Sequence, residues 1–163
     1  MFRYFIYVPG MPVDGNVMAN QSLGGSESSG AYLARELVRR GNHVTLFANV
    51  SGPSNWDGVQ ILPIGEMKSE APLGFDFERV AVTVPHDVLI VQRHPSPFPR
   101  VFNSKINLWW THDLARSRAT GNFKHTGWNC HGVLAVSDWH RRKSKRLTDC
   151  RRITSIRCAM AWI

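Results

Sequence analysis

One short arrangement near the amino end constrains this chain more than anything else in it. Residues 4–8 (Tyr-Phe-Ile-Tyr-Val) and 43–48 (His-Val-Thr-Leu-Phe-Ala) are continuous apolar runs. Runs without polar alternation predict strands covered on both faces. Between them a glycine-rich loop opens an amphipathic helix that ends near Arg40. Strand, helix and strand in so short a span form a βαβ unit, which demands parallel pairing. A helix must then cover the sheet, and a layered α/β domain follows.

The loop and helix read Ser22-Leu23-Gly24-Gly25-Ser26-Glu27-Ser28-Ser29-Gly30-Ala31 and onward to Leu37. The adjacent glycines permit positive φ and close approach of a ligand. Ser26 is an N-cap candidate, and Glu27 then stands where the helix dipole favours an acid. Gly30, Ala34, Leu37, Val38 and Gly41 share one stripe, and Gly41 is the expected C-terminal stop. A loop of this kind serves either as a tight turn or as an anion cradle at a helix start.

The remaining elements follow the same logic. Residues 9–23 read as a long polar connection, residues 51–58 as turn-rich, and residues 59–63 as a third strand. Residues 65–74 read as loop and 76–83 as a short helix. Strands are expected at 87–92, 105–110, 132–136 and 153–156. Pro95, Pro97 and Pro99 break regular structure between two of them. Ser137 is placed to cap a helix over 138–147. The fold class is α/β: a single Rossmann-like domain with an open, mainly parallel sheet and helices on both faces.

Ligands of such sheets bind beyond the carboxyl ends of the strands. The residues there are Gly24 and Gly25, Asn49, Gln92-Arg93-His94, Thr111-His112-Asp113 and Ser137-Asp138. A dinucleotide fingerprint is excluded. Its glycines should follow the first strand directly, and the second strand should end in an acid, whereas this one ends Phe47-Ala48-Asn49. No Gly-Lys-Ser/Thr makes a Walker loop. His112, at a strand end beside Asp113, is suited to meet a sugar hydroxyl or developing charge. Arg93 and His94 suit an anionic or hydroxylated acceptor.

Charge narrows the class of partner. The 163 residues carry a formal net charge of +8. This favours an acidic partner: a phosphorylated ligand, an anionic membrane surface or nucleic acid. The densest basic run spans residues 141–152, but it lacks the aromatic interleaving of nucleic-acid binders. Three cysteines, Cys130, Cys150 and Cys158, without CxxC spacing speak against a disulfide framework and for a reducing, cytoplasmic setting. The spacing of His125, Cys130 and His131 fits no usual zinc pattern, and no metal is expected.

The ordered set of motifs resembles a known family. The set comprises the Gly-Gly-x-Glu loop, Asp-Val-Leu-Ile-Val-Gln at 87–92, Trp-Thr-His-Asp at 110–113 and Gly-Val-Leu-Ala-Val-Ser-Asp-Trp-His-Arg at 132–141. It resembles the amino-terminal domain of retaining glycosyltransferases of family 4, which have the two-domain GT-B fold. The likeness runs from Tyr4 to about Arg157. It implies Gly24 and Gly25 at the phosphates of a nucleotide diphosphate sugar, the co-substrate, and His112 as the catalytic residue at the reacting sugar. It implies Glu27, Arg93, His94, Asp113, Ser137 and Asp138 on the acceptor side or cleft, and no cofactor or metal. Domain limits of 1–157 follow, with an atypical tail at 158–163 that reads like a truncation or a shifted frame. The donor-binding domain would be missing and the chain inactive alone. Implied partners are a sugar or lipid-linked acceptor, a separate donor-domain chain or a second copy, and an anionic membrane face. The alternative is a stand-alone module binding a phosphorylated or glycosylated ligand or a partner domain.

Overall fold

The computed structural model describes residues 1–20, 22–65, 77–112, 129–140, 142 and 154–157. Its centre is an eight-stranded sheet in the order β3-β4-β2-β1-β5-β6-β7-β8. The strands are β1 (Arg3–Val8), β2 (His43–Ala48), β3 (Ser54–Trp56), β4 (Val59–Pro63), β5 (His86–Gln92), β6 (Ser104–Thr111), β7 (Gly132–Ala135) and β8 (Thr154–Arg157). Every neighbouring pair is parallel except β3 with β4. Three helices have both ends among the described residues: α1 (Gly15–Asn20), α2 (Gly25–Arg39) and α3 (Phe77–Thr83); residues 138–140 and 142 are helical as well.

The alternation of side chains along each strand divides the core in two. Ile6, Val8, Leu46, Ile90 and Trp110 point to the face that α2 covers with Ala31 and Ala34. Phe5, Phe47, Leu89, Val91 and Trp109 point to the other face, where Phe77 of α3 joins them. Phe77 meets Tyr7 at 4.6 Å, Phe47 at 5.1 Å and Phe102 at 5.8 Å between ring centroids. Each such pair contributes about 0.5–1.5 kcal/mol beyond area burial, enough to dock a helix of two turns.

The chain ends of α2 explain its limits. Gly41 has φ +81°, and its N–H bonds Val38 while that of Asn42 bonds Leu37. These two bonds satisfy the last carbonyls as in a Schellman motif. At the other end the N-cap is Gly24, not Ser26. Ser26 sits inside the first turn and donates its hydroxyl to Glu27 Oε2 at 2.7 Å. A Cβ on Gly24 would stand 2.5 Å from the same oxygen, so the capping position has no room for a side chain.

Two further expectations are corrected. The connection 9–23 contains α1, opened by Asp14, whose Oδ1 accepts the Val17 N–H at 2.8 Å. Val13, before the cap, is fully buried, and Met18 packs on the same core. That is a capped turn stapled by hydrophobes at both sides of the cap. The turn-rich segment 51–58 contains β3, joined to β4 by Asp57 (φ +49°) and Gly58 (φ +82°). A two-residue turn with both φ positive matches the twist of a hairpin.

Strand order places the functional end. The chain lays down β1, builds β2, β4 and β3 on one side, then crosses to β5 on the other. The reversal lies between β1 and β5, where ligands of open α/β sheets enter.

Candidate functional site

At that reversal three segments converge on one carboxylate. Glu27 is in the first turn of α2, and its side chain is only 5% exposed. Its Oε1 lies 3.4 Å from the Met11 N–H and 3.6 Å from Arg93 Nη1. Ser26 donates to its Oε2. Burial alone would raise the Glu27 pKa. The Ser26 hydroxyl, its own and the Met11 N–H groups and the Arg93 charge outweigh burial, and the carboxyl is held below its ordinary 4.5. A buried carboxylate is costly unless its oxygens are satisfied, and these are.

Gly10 is the floor of this cluster. Its φ is +134°, which disfavours any L side chain, and a Cβ there would collide with Glu27 Oε1. Arg93 Nη1 would lie 3.6 Å from the same point. Asn49, after β2, donates from Nδ2 to the Gly10 carbonyl at 3.3 Å. The loop after β1 is thus pinned from α2, β2 and β5 together.

Beside Gly10 lies a groove of about 440 Å³ past the ends of β1, β2 and β4. Tyr7, Pro9, Gly10, Asn49, Ile64 and Gly65 are among its walls. Its size falls in the range of small-molecule pockets. Burial, and then the nearby Glu78, raise the Tyr7 pKa above its ordinary 10.0.

The residues expected at the site are distributed as follows. Glu27 and Arg93 are brought together. His94 follows Arg93 and is exposed. Gly24 backs Glu27, whereas Gly25 faces open space. His112 follows β6, half-buried, its ring 4.6 Å from the Trp110 ring. Ser137 and Asp138 follow β7, two strands from β5, so about 10 Å of sheet separates them from Arg93. Ser137 Oγ accepts the His140 N–H at 3.1 Å, as a cap does. Asp113 and the basic residues of 141–152 other than Arg142 lie outside the described residues. Among the described residues no group of three or more His, Cys, Asp or Glu is placed to hold a metal ion.

Gly10 and Ser26 are the parts of the cluster that sequence reasoning did not assign to the site. Gly10 follows Pro9 and reads as a mere strand stop. The acid three residues after Gly24 was the available signal, since a residue in the first turn can reach back over the cap.

No protein-family model matches the chain, and no curated protein does. Among the described residues no helix is long and apolar enough to cross a membrane.

Proposed function

We propose that this chain is the acceptor-side domain of a retaining sugar transferase that draws on a nucleotide diphosphate sugar. The observation that carries the reading is the meeting of Glu27 and Arg93 over Gly10 at the strand-order reversal, next to a groove of ligand size. An open α/β sheet binds its ligand at that point. The order of motifs along the chain supports the same reading.

In this reading the groove holds the acceptor, with the Asn49 amide and the Tyr7 phenol at its walls. The acceptor hydroxyl oxygen bonds the anomeric carbon as the bond from that carbon to the diphosphate breaks. The proton released from the acceptor leaves with the diphosphate. His112 lies at the reacting sugar and hydrogen-bonds it. Gly24 and Gly25 are the donor-phosphate wall, with the open side of Gly25 admitting the diphosphate closely. The opposite wall of the donor site comes from a second, donor-binding half.

The test is a titration of the chain with nucleotide diphosphate sugars and simple glycosides, followed by amide chemical shifts. Responses are expected at Gly10, Gly25, Asn49 and His112, and the His112→Ala variant should lose the nucleotide-sugar response. A chain that responds to none of these compounds removes the reading.

A further inference from the structure

Tyr7 presents a fixed phenol to the groove. Its half-buried ring sits 4.6 Å from that of Phe77, which Phe47 and Phe102 hold in turn. The side chain lines the groove, and among the described residues its hydroxyl has no hydrogen-bond partner. A ring locked by packing, with its hydroxyl left over, is placed in advance for a ligand.

Asn49 supplies the complement. Its Nδ2 is taken by the Gly10 carbonyl at 3.3 Å, and among the described residues its Oδ1 accepts from no donor. A carboxamide oxygen only accepts, whereas a phenol donates one bond and accepts others. A group that satisfies both must bring a donor and an acceptor, as two neighbouring hydroxyls of a pyranose do. The oxygens of an ionised phosphate only accept, so they face Asn49 Oδ1 without a proton between them. Pro9, Val50, Pro63 and Ile64 stand around these two groups and offer apolar walls to the C–H face of a sugar ring.

Charge points the same way. Burial first, and then the charge of Glu78 in the first turn of α3, raise the Tyr7 pKa. Arg100 pairs with Glu78 without cancelling that effect. A phosphate set beside the phenol would meet the same repulsive field.

We infer that this groove selects an uncharged glycoside, held through a pair of neighbouring hydroxyls by Tyr7 and Asn49, and rejects acceptors that carry a phosphate beside those hydroxyls. The inference rests on the sugar-transfer reading for the role of the groove, and on Tyr7 and Asn49 for its selectivity. In that reading the net charge of +8 serves the donor diphosphate and not the acceptor.

Methyl hexopyranosides and their 6-phosphates are titrated against the chain, with amide shifts followed at Gly10, Asn49 and Gly65. The glycosides should shift these amides with an affinity that is the same at low and high salt. The phosphates should bind at least about tenfold more weakly. Y7F keeps the ring and removes the hydroxyl, so glycoside affinity should fall about three- to tenfold. A Tyr7 with only a packing role would change the Tm and leave the affinity as it is. If Y7F does not fold, the comparison of glycoside with phosphate on the wild type decides. The proposal is overturned by a folded Y7F that binds glycosides as wild type does, by phosphates that bind as tightly as their glycosides, or by glycosides that shift no groove amide while nucleotide sugars shift Gly25. That last outcome leaves the sugar-transfer reading in place. Glycosides that shift the groove amides in a chain without any nucleotide-sugar response remove the donor half of that reading and support the selectivity.

Discussion

The carboxamide of Gln92 occupies the space that a side chain on Gly30 would need. A Cβ on Gly30 would stand 3.0 Å from both Gln92 Oε1 and Nε2, and 2.8 Å from Val8 Cγ2. Gln92 is wholly buried at the end of β5, and among the described residues neither amide atom has a hydrogen-bond partner. The close approach of α2 to the sheet is therefore made by a glycine.

The Gly30→Ala variant should be less stable than wild type. Overpacking a buried contact costs about 1–3 kcal/mol, while alanine returns about 1 kcal/mol of helix propensity. The expected net loss is up to about 2 kcal/mol, read from urea midpoints at unchanged m. A variant more stable than wild type would show that α2 is not tightly seated there.

At Gly10 the two costs add. The φ of +134° and the collision with Glu27 should make Gly10→Ala lose about 2–6 kcal/mol. The collision is removable, and the strain is not. In a double-mutant cycle with Glu27→Ala, the Gly10 substitution should cost at least about 1 kcal/mol less than in the wild type. Strict additivity would separate the two residues energetically.

Acid should weaken the fold through His86. The ring is buried and stacked on Phe5 at 4.1 Å, with Nδ1 2.9 Å from the Val84 carbonyl and, among the described residues, no partner for Nε2. Burial, ahead of the Arg3 charge, lowers its pKa from 6.5, against the raising effects of the Val84 bond and Asp87. The unfolded chain then binds the proton more readily, so this contribution is full above about pH 6.5 and is lost as pH falls through that value. Glu27, also lowered, adds a second loss as pH falls through 4.5. Unfolding free energies at pH 7.5 and 5.5 should differ more in wild type than in His86→Gln. Equal differences would clear His86 of the effect.

Removing the cap of α1 tests whether that short helix matters. Asp14→Ala leaves the Val17 N–H without its acceptor and should cost about 1 kcal/mol. The same change to Asn should cost much less, because asparagine caps nearly as well. Equal losses for the two would show that the charge, not the cap, is what counts.

What could be read from the sequence follows from how each element earns its stability. The runs at 4–8, 43–48 and 87–92 are buried on both faces, and composition alone exposes them. The helix α2 carries a stripe and a glycine stop, both local signals. By contrast α1 is one capped turn and a half in a polar stretch, visible only through Asp14 and its flanking valines. The strand β3 is an edge with Ser54 and Asn55 exposed, and its one signal is Asp57-Gly58. At the site, Glu27 and Arg93 stand out by type and by position at an element end. That they meet depends on Gly10, and a glycine does not announce which carboxylate will cover it.

The position of β1 has a consequence for biosynthesis. Residues 1–65 contain β1, α2, β2 and the β3–β4 hairpin, a contiguous half of the sheet. A ribosome completes this half while β5 is still unmade, so one edge of β1 waits with its backbone groups unpaired. Waiting edges of this kind are where chains stick to one another. Nascent chains arrested shortly after β4 should already protect β1 and β2 from protease while still recruiting holdase chaperones. Arrest after β5 should end the recruitment. Chaperone occupancy that persists past β5 would place the vulnerable edge elsewhere.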